Sequence, residues 1–242
     1  MSDASATGSG RPLDPGRPLD PGRPLLEICA FSVADAITAA AAGADRIELC
    51  REPRADGLTP TDADLVAAAR LIDRVPIHPI IRPRAAFELA AGDVADMCRT
   101  ITRVADLGYP GAVLGTLVDG EPDWQALAEV VAHAPGLAFT FHRAFDLVSD
   151  QPQAIAGLAE LGFSRILTSG KPGHAADNLD LLASLAGAAA RAGLVLMAGG
   201  GVDSSNASAI LRVGVSELHA SAGGSSGALR PLEVRALADR CR

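Results

Sequence analysis

The sequence predicts an α/β fold: a single-domain, closed (β/α)8 barrel behind a disordered N-terminal tail. Three observations lead there. From residue 25 onward, short runs rich in Ile, Val, Leu and Phe alternate evenly with Ala-rich amphipathic segments, eight of each. Gly closes many of the amphipathic segments just before the next apolar run, at Gly43, Gly108, Gly162, Gly193 and Gly214. Within the apolar runs, the polar residues keep to one parity, as they would if that face lined a barrel. A doubly wound open sheet is the runner-up. It rarely reaches eight such even repeats, and its Gly-rich fingerprint is missing after the first run.

The elements follow in order. Residues 1–24 carry "RPLDPG" at 11–16 and again at 17–22, then "RPL". Pro and Gly dominate and the charges balance, so this segment cannot bury a core and is expected to be an extended tail. Strands are expected near 25–31, 45–50, 77–82, 111–117, 137–143, 165–169, 194–198 and 217–221. Helices are expected near 33–42, 61–72, 92–107, 123–133, 151–161, 175–191, 204–212 and 231–240. Capping residues open several helices: "SVAD" at 32, "TPTDAD" at 59, "GDVAD" at 92 and "DSSN" at 203.

Composition narrows the function. The chain has 242 residues, 48% hydrophobic and 21% charged, enough for one well-buried domain. The net charge of −8, with no Lys/Arg cluster, argues against a nucleic-acid partner. No apolar run approaches the roughly 18–20 residues of a membrane span. The start "MSDASATGSG" lacks the basic and apolar regions of a signal peptide. A cytoplasmic protein is expected, with its four Cys as thiols. Cys98, in a predicted helix, and Cys241, beside the C-terminus, read as a small buried hydrophobe and a frayed terminal residue.

The polar strand residues are the candidates for chemistry. Glu27 and Cys29 share a face of the first strand, Glu48 and Cys50 a face of the second. The third gives His78 and Arg82, the fifth Thr140 and His142, the sixth Thr168, the eighth His219 and Ser221. Ile28, Leu49, Ile81, Phe141 and Leu218 fall on the other parity, suited to packing under helices. A buried polar network filling the barrel is the structural alternative. Yet buried charges are costly unless paired, and Val, Ile or Leu would fill a barrel without that cost. Arg82 is the expected partner of Glu27 and Glu48, with His142 and Arg143 at the mouth. A second feature is "LMAGGGVDSSN" at 196–206: a strand end, Gly199, Gly200 and Gly201, then a helix start. Glycines there can aim N–H groups at an anion, and loops late in such barrels often hold phosphate. Thr168, Ser169 and Gly170 are expected to form one neighbouring wall, and "SAGG" at 221–224 the other.

Taken together, "LLEICAFSVADAITAAAAGADRIELC", "GLTPT", "IIRPR", "FHRAFD", "ILTSG" and "AGGGV" resemble the CutC family, named for copper homeostasis, over about residues 25–240. The resemblance implies a TIM barrel in the cytosol and a homodimer or higher homo-oligomer. It implies copper(I) held by the cysteines at the positions of Cys29 and Cys50. "REPRADG" at 51–57 departs from the family's usual Gly- and Ser-rich wording, and the loop at 221–230 is shortened. The residues bear on copper in both directions. Cu(I) prefers thiolates, and adjacent strands about 4.8 Å apart bring two cysteines at matching heights within reach of one ion. Met197 is assigned the opposite parity from Gly199, away from the pair. Against copper, Glu27 and Glu48 raise the thiol pKa, with Arg82 and Arg143 to offset them. The alternative is a barrel enzyme doing acid–base work on a small phosphorylated or carboxylated substrate. In that reading His142 carries the proton, Glu48 or Glu27 partners it and Arg82 holds the anionic group.

Overall fold

The computed structural model describes residues 22–223 and 228–242. Eight parallel strands close into a barrel in chain order: β1 Leu25–Ala30, β2 Arg46–Leu49, β3 Ile77–Ile81, β4 Gly111–Leu114, β5 Ala138–Phe141, β6 Phe163–Thr168, β7 Val195–Ala198 and β8 Glu217–Ala220. A helix follows each: α1 Val33–Ala42, α2 Asp62–Ala68, α3 Asp93–Asp106, α4 Trp124–Ala132, α5 Gln151–Glu160, α6 Leu179–Arg191, α7 Ala207–Arg212 and α8 Pro231–Arg240. β8 returns to β1 with Leu25 opposite Glu217, so no strand edge is left open.

Local chemistry explains the elements. Ser32 Oγ accepts from the Asp35 N–H at 3.0 Å and starts α1, and Thr61 does the same for α2. Gly43 ends α1 at φ 110°, a conformation costly for any residue with a Cβ. Four boundaries differ from expectation by three residues or more, the first being α2, which ends at Ala68 and passes into a 3-10 turn, Ala69–Leu71, where a helix to 72 is expected. The fourth strand stops at Leu114, and a small antiparallel hairpin of Leu117–Val118 and Glu121–Pro122 follows. The helix expected from 175 begins as a 3-10 turn, Ala175–Asp177, before α6. The helix expected from 204 starts at Ala207, because the Asp203 carboxylate accepts the N–H groups of Ser205 and Asn206 and holds them in a turn.

Residues 1–21 of the expected tail lie outside the described residues. Its end is fastened: Arg23 forms an ion pair with Asp45. Cys241 is not frayed but fully buried in the core, and Cys98 is buried there too.

The core has two unlike layers. Between strands and helices lies a continuous apolar layer that includes Ile28, Ile47, Leu114, Phe141, Ile166 and Leu218. Within it Phe141 packs edge-on against Phe163, ring centroids 5.9 Å apart. A register shift at Phe139/Thr140 lets Phe163 pair with Phe139 while Arg165 pairs with Thr140. A separate small apolar cluster, Cys29, Cys50, Ile80 and Val113 with Phe31 against it, belongs to the other strand face. The rest of that face is largely polar.

Candidate functional site

The barrel interior is built from alternate residues of the strands. Toward the N-terminal ends, Arg46 on β2 forms ion pairs with Glu27 on β1 and with Glu217 on β8, the latter at 2.5 Å. Arg165 on β6 reaches the same Glu217 oxygen at 2.7 Å. Burial alone would raise the Glu27 carboxyl, but Arg46 and His219 hold it well below the usual carboxylate range. Burial would likewise lower Arg46, and its two glutamates keep it firmly charged.

The expected partner was Arg82, and the structure corrects this. Arg82 donates to the carbonyl oxygens of Ala55 at 2.7 Å, Gly57 at 3.0 Å and Ala85 at 2.9 Å, and its guanidinium lies 4.7 Å from the Phe87 ring centre. It sits four residues beyond His78 on its strand, too near the mouth to reach Glu27, and serves to hold the loop after β2. Arg46, Arg165 and Glu217 went unremarked in the sequence reading. Arg46 and Glu217 carried a signal, each lying two residues before an inward position, Glu48 and His219. Arg165 did not, because the sixth strand turns Leu167 and not the expected Thr168 to the interior, with Ile166 under the helices.

Above the arginines, His219 on β8 places Nδ1 2.7 Å from Glu27 Oε1 and Nε2 3.8 Å from Glu48 Oε2. Burial lowers the imidazole pKa, but Glu48, Cys29 and Glu27 outweigh it and raise the group well above its ordinary value. One ligand atom each of Cys29, Glu48 and His219 lies within 4.8 Å of the others. Cys50 joins them, its sulfur 3.0 Å from that of Cys29. The cysteines are not at one height: Cys29 pairs with Glu48, and the Cys50 N–H bonds Ala30 O one step nearer the mouth. The sulfurs meet on the diagonal. Both are free thiols. Contact with Cys50, then burial, pushes the Cys29 thiol far up, and burial pushes Cys50 up. Met197 also faces inward, its sulfur 3.2 Å from Arg46 Nη2, because residues two apart share a face.

Two imidazoles complete the interior. β4 carries Gly111 and the strand end carries Gly115. A Cβ at Gly111 would lie 2.6 Å from His78 Cε1, and one at Gly115 2.6 Å from His142 Nδ1. These glycines make room for rings from the strands on either side. Burial lowers both histidines to a pKa of about 3, with Arg82 adding to the effect at His142. His142 is bonded to neither glutamate. The acid–base group that the fold assembles is His219 with Glu27 and Glu48.

At the mouth a cavity of about 420 Å³ is lined by residues that include Cys29, Glu48, Arg82, His142, Arg143 and His219, with Gly200 and Gly201 on its rim. The donors of the 168–170 wall are already engaged. Asp146 Oδ1 accepts from Thr168 Oγ1 at 2.5 Å and from the Ser169 N–H at 2.9 Å, and the Gly170 N–H goes to Thr168 Oγ1. The Gly199 N–H bonds Thr168 O. Asp146 also fixes Arg143, whose Nε lies 3.0 Å from Oδ2. Of the expected 221–224 wall, Ser221 lines the cavity, while Gly224 lies outside the described residues. Among the described residues no helix is long and apolar enough to cross a membrane.

Comparison with known proteins agrees with this layout. The CutC family model matches residues 24–224. A CutC family protein of Enterobacter sp. (strain 638) is 46% identical over 202 residues, 82% of this chain and 80% of that one. One from Salmonella schwarzengrund (strain CVM19633) is 44% identical over 201 residues, with the same coverage of 82% and 80%. A solved structure described as that of a candidate copper homeostasis protein CutC from Streptococcus agalactiae superposes with a TM-score of 0.78 at 29% identity, covering 82% of this chain and 98% of that one. Deoxyribose phosphate aldolase from Aeropyrum pernix, at 14% identity, TM-score 0.65 and 87% coverage of each chain, shares the barrel alone. The match over most of the barrel and the identity to these relatives establish that the chain belongs to the CutC family.

Proposed function

We propose that the protein binds copper(I) in the reducing cytoplasm, with Cys29 and Cys50 as ligands, and acts in copper homeostasis. The observation that carries the reading is the pair of reduced, buried sulfurs 3.0 Å apart beside the cavity. Two thiolates are the donor set that a soft monovalent ion prefers. His219 supports it. With Nδ1 turned to Glu27 at 2.7 Å, Nε2 is left for a metal, the carboxylate–histidine arrangement that orients metal-bound imidazoles. Glu48 is a hard donor and in this reading balances charge. The name carried by the Streptococcus agalactiae structure points the same way.

Both thiols are protonated at neutral pH, so copper must displace protons. Affinity then rises with pH, by up to about two log units per pH unit if both thiol protons are displaced and about three if His219, held protonated beside Glu48, Cys29 and Glu27, also releases a proton to ligate. The test is an anaerobic competition titration against a Cu(I) chelator at several pH values. One tightly held Cu(I) is expected, lost in Cys29→Ser and in Cys50→Ser and kept in Cys98→Ser and Cys241→Ser. Retention by the Cys29→Ser/Cys50→Ser double variant sinks the reading.

A further inference from the structure

The mouth cavity holds donors that copper does not use. His142 Nδ1 accepts the Ala144 N–H at 3.2 Å, so the neutral ring carries its proton on Nε2. That Nε2–H is buried and has no partner among the described residues, although the residue lines the cavity. A buried donor left unpaired costs roughly 1–3 kcal/mol and marks a place where an acceptor belongs. Arg143, next in the chain, is held by Asp146 through Nε and reaches Ser169 Oγ and Gly173 O through Nη2. Its Nη1 has no acceptor among the described residues. The glycine turn lies directly against this guanidinium: a Cβ on Gly200 would be 3.0 Å from Arg143 Cζ. Gly200 and Gly201 have φ 95° and 68°. Among the described residues nothing accepts from their N–H groups or from that of Val202.

We propose that this cavity binds a small organic phosphate, with its phosphoryl oxygens on the Gly200–Val202 N–H groups and Arg143 and an oxygen of its carbon skeleton on His142. Several backbone donors beside one guanidinium suit a tetrahedral, multiply charged oxyanion better than a planar carboxylate. The space of about 420 Å³ exceeds the needs of a bare ion, and Phe87, Leu147 and Leu167 give it apolar walls. Asp146, the carboxylate paired with Arg143, is already engaged by Thr168 and Ser169, and Asp203, next after the turn, accepts the N–H groups of Ser205 and Asn206. Its donors are not those of the copper reading, although Cys29 and His219 line the same cavity, and the proposal stands or falls without copper.

The test uses reduced, copper-free full-length protein. Inorganic phosphate, glycerol 3-phosphate and ribose 5-phosphate are titrated by calorimetry and by thermal shift, with chloride at matched ionic strength as control. Saturable binding is expected, tighter by about tenfold for at least one sugar phosphate than for inorganic phosphate. Arg143→Met is expected to weaken all three probes by about tenfold or more. His142→Phe is expected to weaken the sugar phosphates and leave inorganic phosphate unchanged. Cys50→Ser, outside the cavity wall, leaves phosphate binding intact and so keeps this test apart from that of copper. Should a variant misfold, histidine ¹⁵N NMR of the wild type reads the same contact, as a shift of the His142 Nε2 resonance on adding ribose 5-phosphate. No saturable binding at millimolar probe, equal affinity in Arg143→Met, or an unmoved His142 resonance overturns the proposal.

Discussion

Glu27 and Ile28 are neighbours on one strand, and both are completely buried, yet they live under different rules. Ile28 faces the helices, in a layer where any apolar side chain of suitable volume lowers the free energy. Glu27 faces the barrel axis, where it is stable only because Arg46 and His219 meet it. The outer layer is set by strand periodicity alone. The inner layer is set by which charges eight strands bring together, and it is there that the cysteine pair and the cavity lie. Stability belongs mainly to the first surface and chemistry to the second.

The largest effect should come from breaking the inner network. Arg46→Met leaves Glu27 and Glu217 without their shared cation and should cost about 3–5 kcal/mol in urea unfolding. Adding Glu27→Gln should recover part of that. Arg82→Met should cost less, because it removes bonds to loop carbonyls and strands no carboxylate. If Arg82→Met proves the more damaging of the two, the description of the interior is wrong.

Acid should sharpen the contrast next, since only the inner layer titrates. His78 and His142 have folded pKa values of about 3 against an ordinary 6.5. Between those values the unfolded chain binds the extra protons, so stability is present above pH 6.5 and is lost as pH falls. The pair should lose roughly 3 kcal/mol between pH 6.5 and 5. His219, raised above its ordinary value, acts in the opposite sense, and its contribution is nearly complete below pH 6.5. His78→Asn should about halve the acid slope, read from unfolding midpoints across pH. An unchanged slope means His78 is not held neutral.

The smallest effects should differ in sign between the layers. Ile28→Val removes one methylene from the outer layer and should cost about 0.5–1.5 kcal/mol. Thr140→Val removes an inward hydroxyl that is buried without a partner among the described residues, and should be neutral or stabilise by about 1 kcal/mol. A loss on Thr140→Val comparable to that of Ile28→Val would show that the hydroxyl is satisfied, for example by a buried water.

The outer layer was legible in the sequence almost residue by residue. Parity put Ile28, Leu49, Ile81, Phe141 and Leu218 under the helices, and the glycines before the strands marked where five of the eight helices stop. Inward parity also found Glu27, Cys29, Glu48, Cys50 and His219. The pairing among them was not legible, since a contact such as Glu27 to Arg46 depends on the stagger of β1 against β2, where Cys29 faces Glu48. Arg82 was given the glutamates because it was the arginine already assigned inward. Asp146 went unseen for another reason. It lies in the 3-10 turn Arg143–Leu147, where neither strand nor helix periodicity applies, yet it accounts for the bonds of Thr168 and Ser169. The role of Gly111 was invisible in the same way, because the need for a missing Cβ comes from His78, on another strand.

The most direct test of the central claim, that the inner layer holds copper(I) at the cysteine pair, is an anomalous difference map at the copper edge from anaerobically loaded crystals. The account predicts one copper peak bonded to both Cys29 Sγ and Cys50 Sγ, absent from the Cys29→Ser/Cys50→Ser variant. Copper bound elsewhere, or held by nitrogen and oxygen donors with both sulfurs unligated, would contradict it.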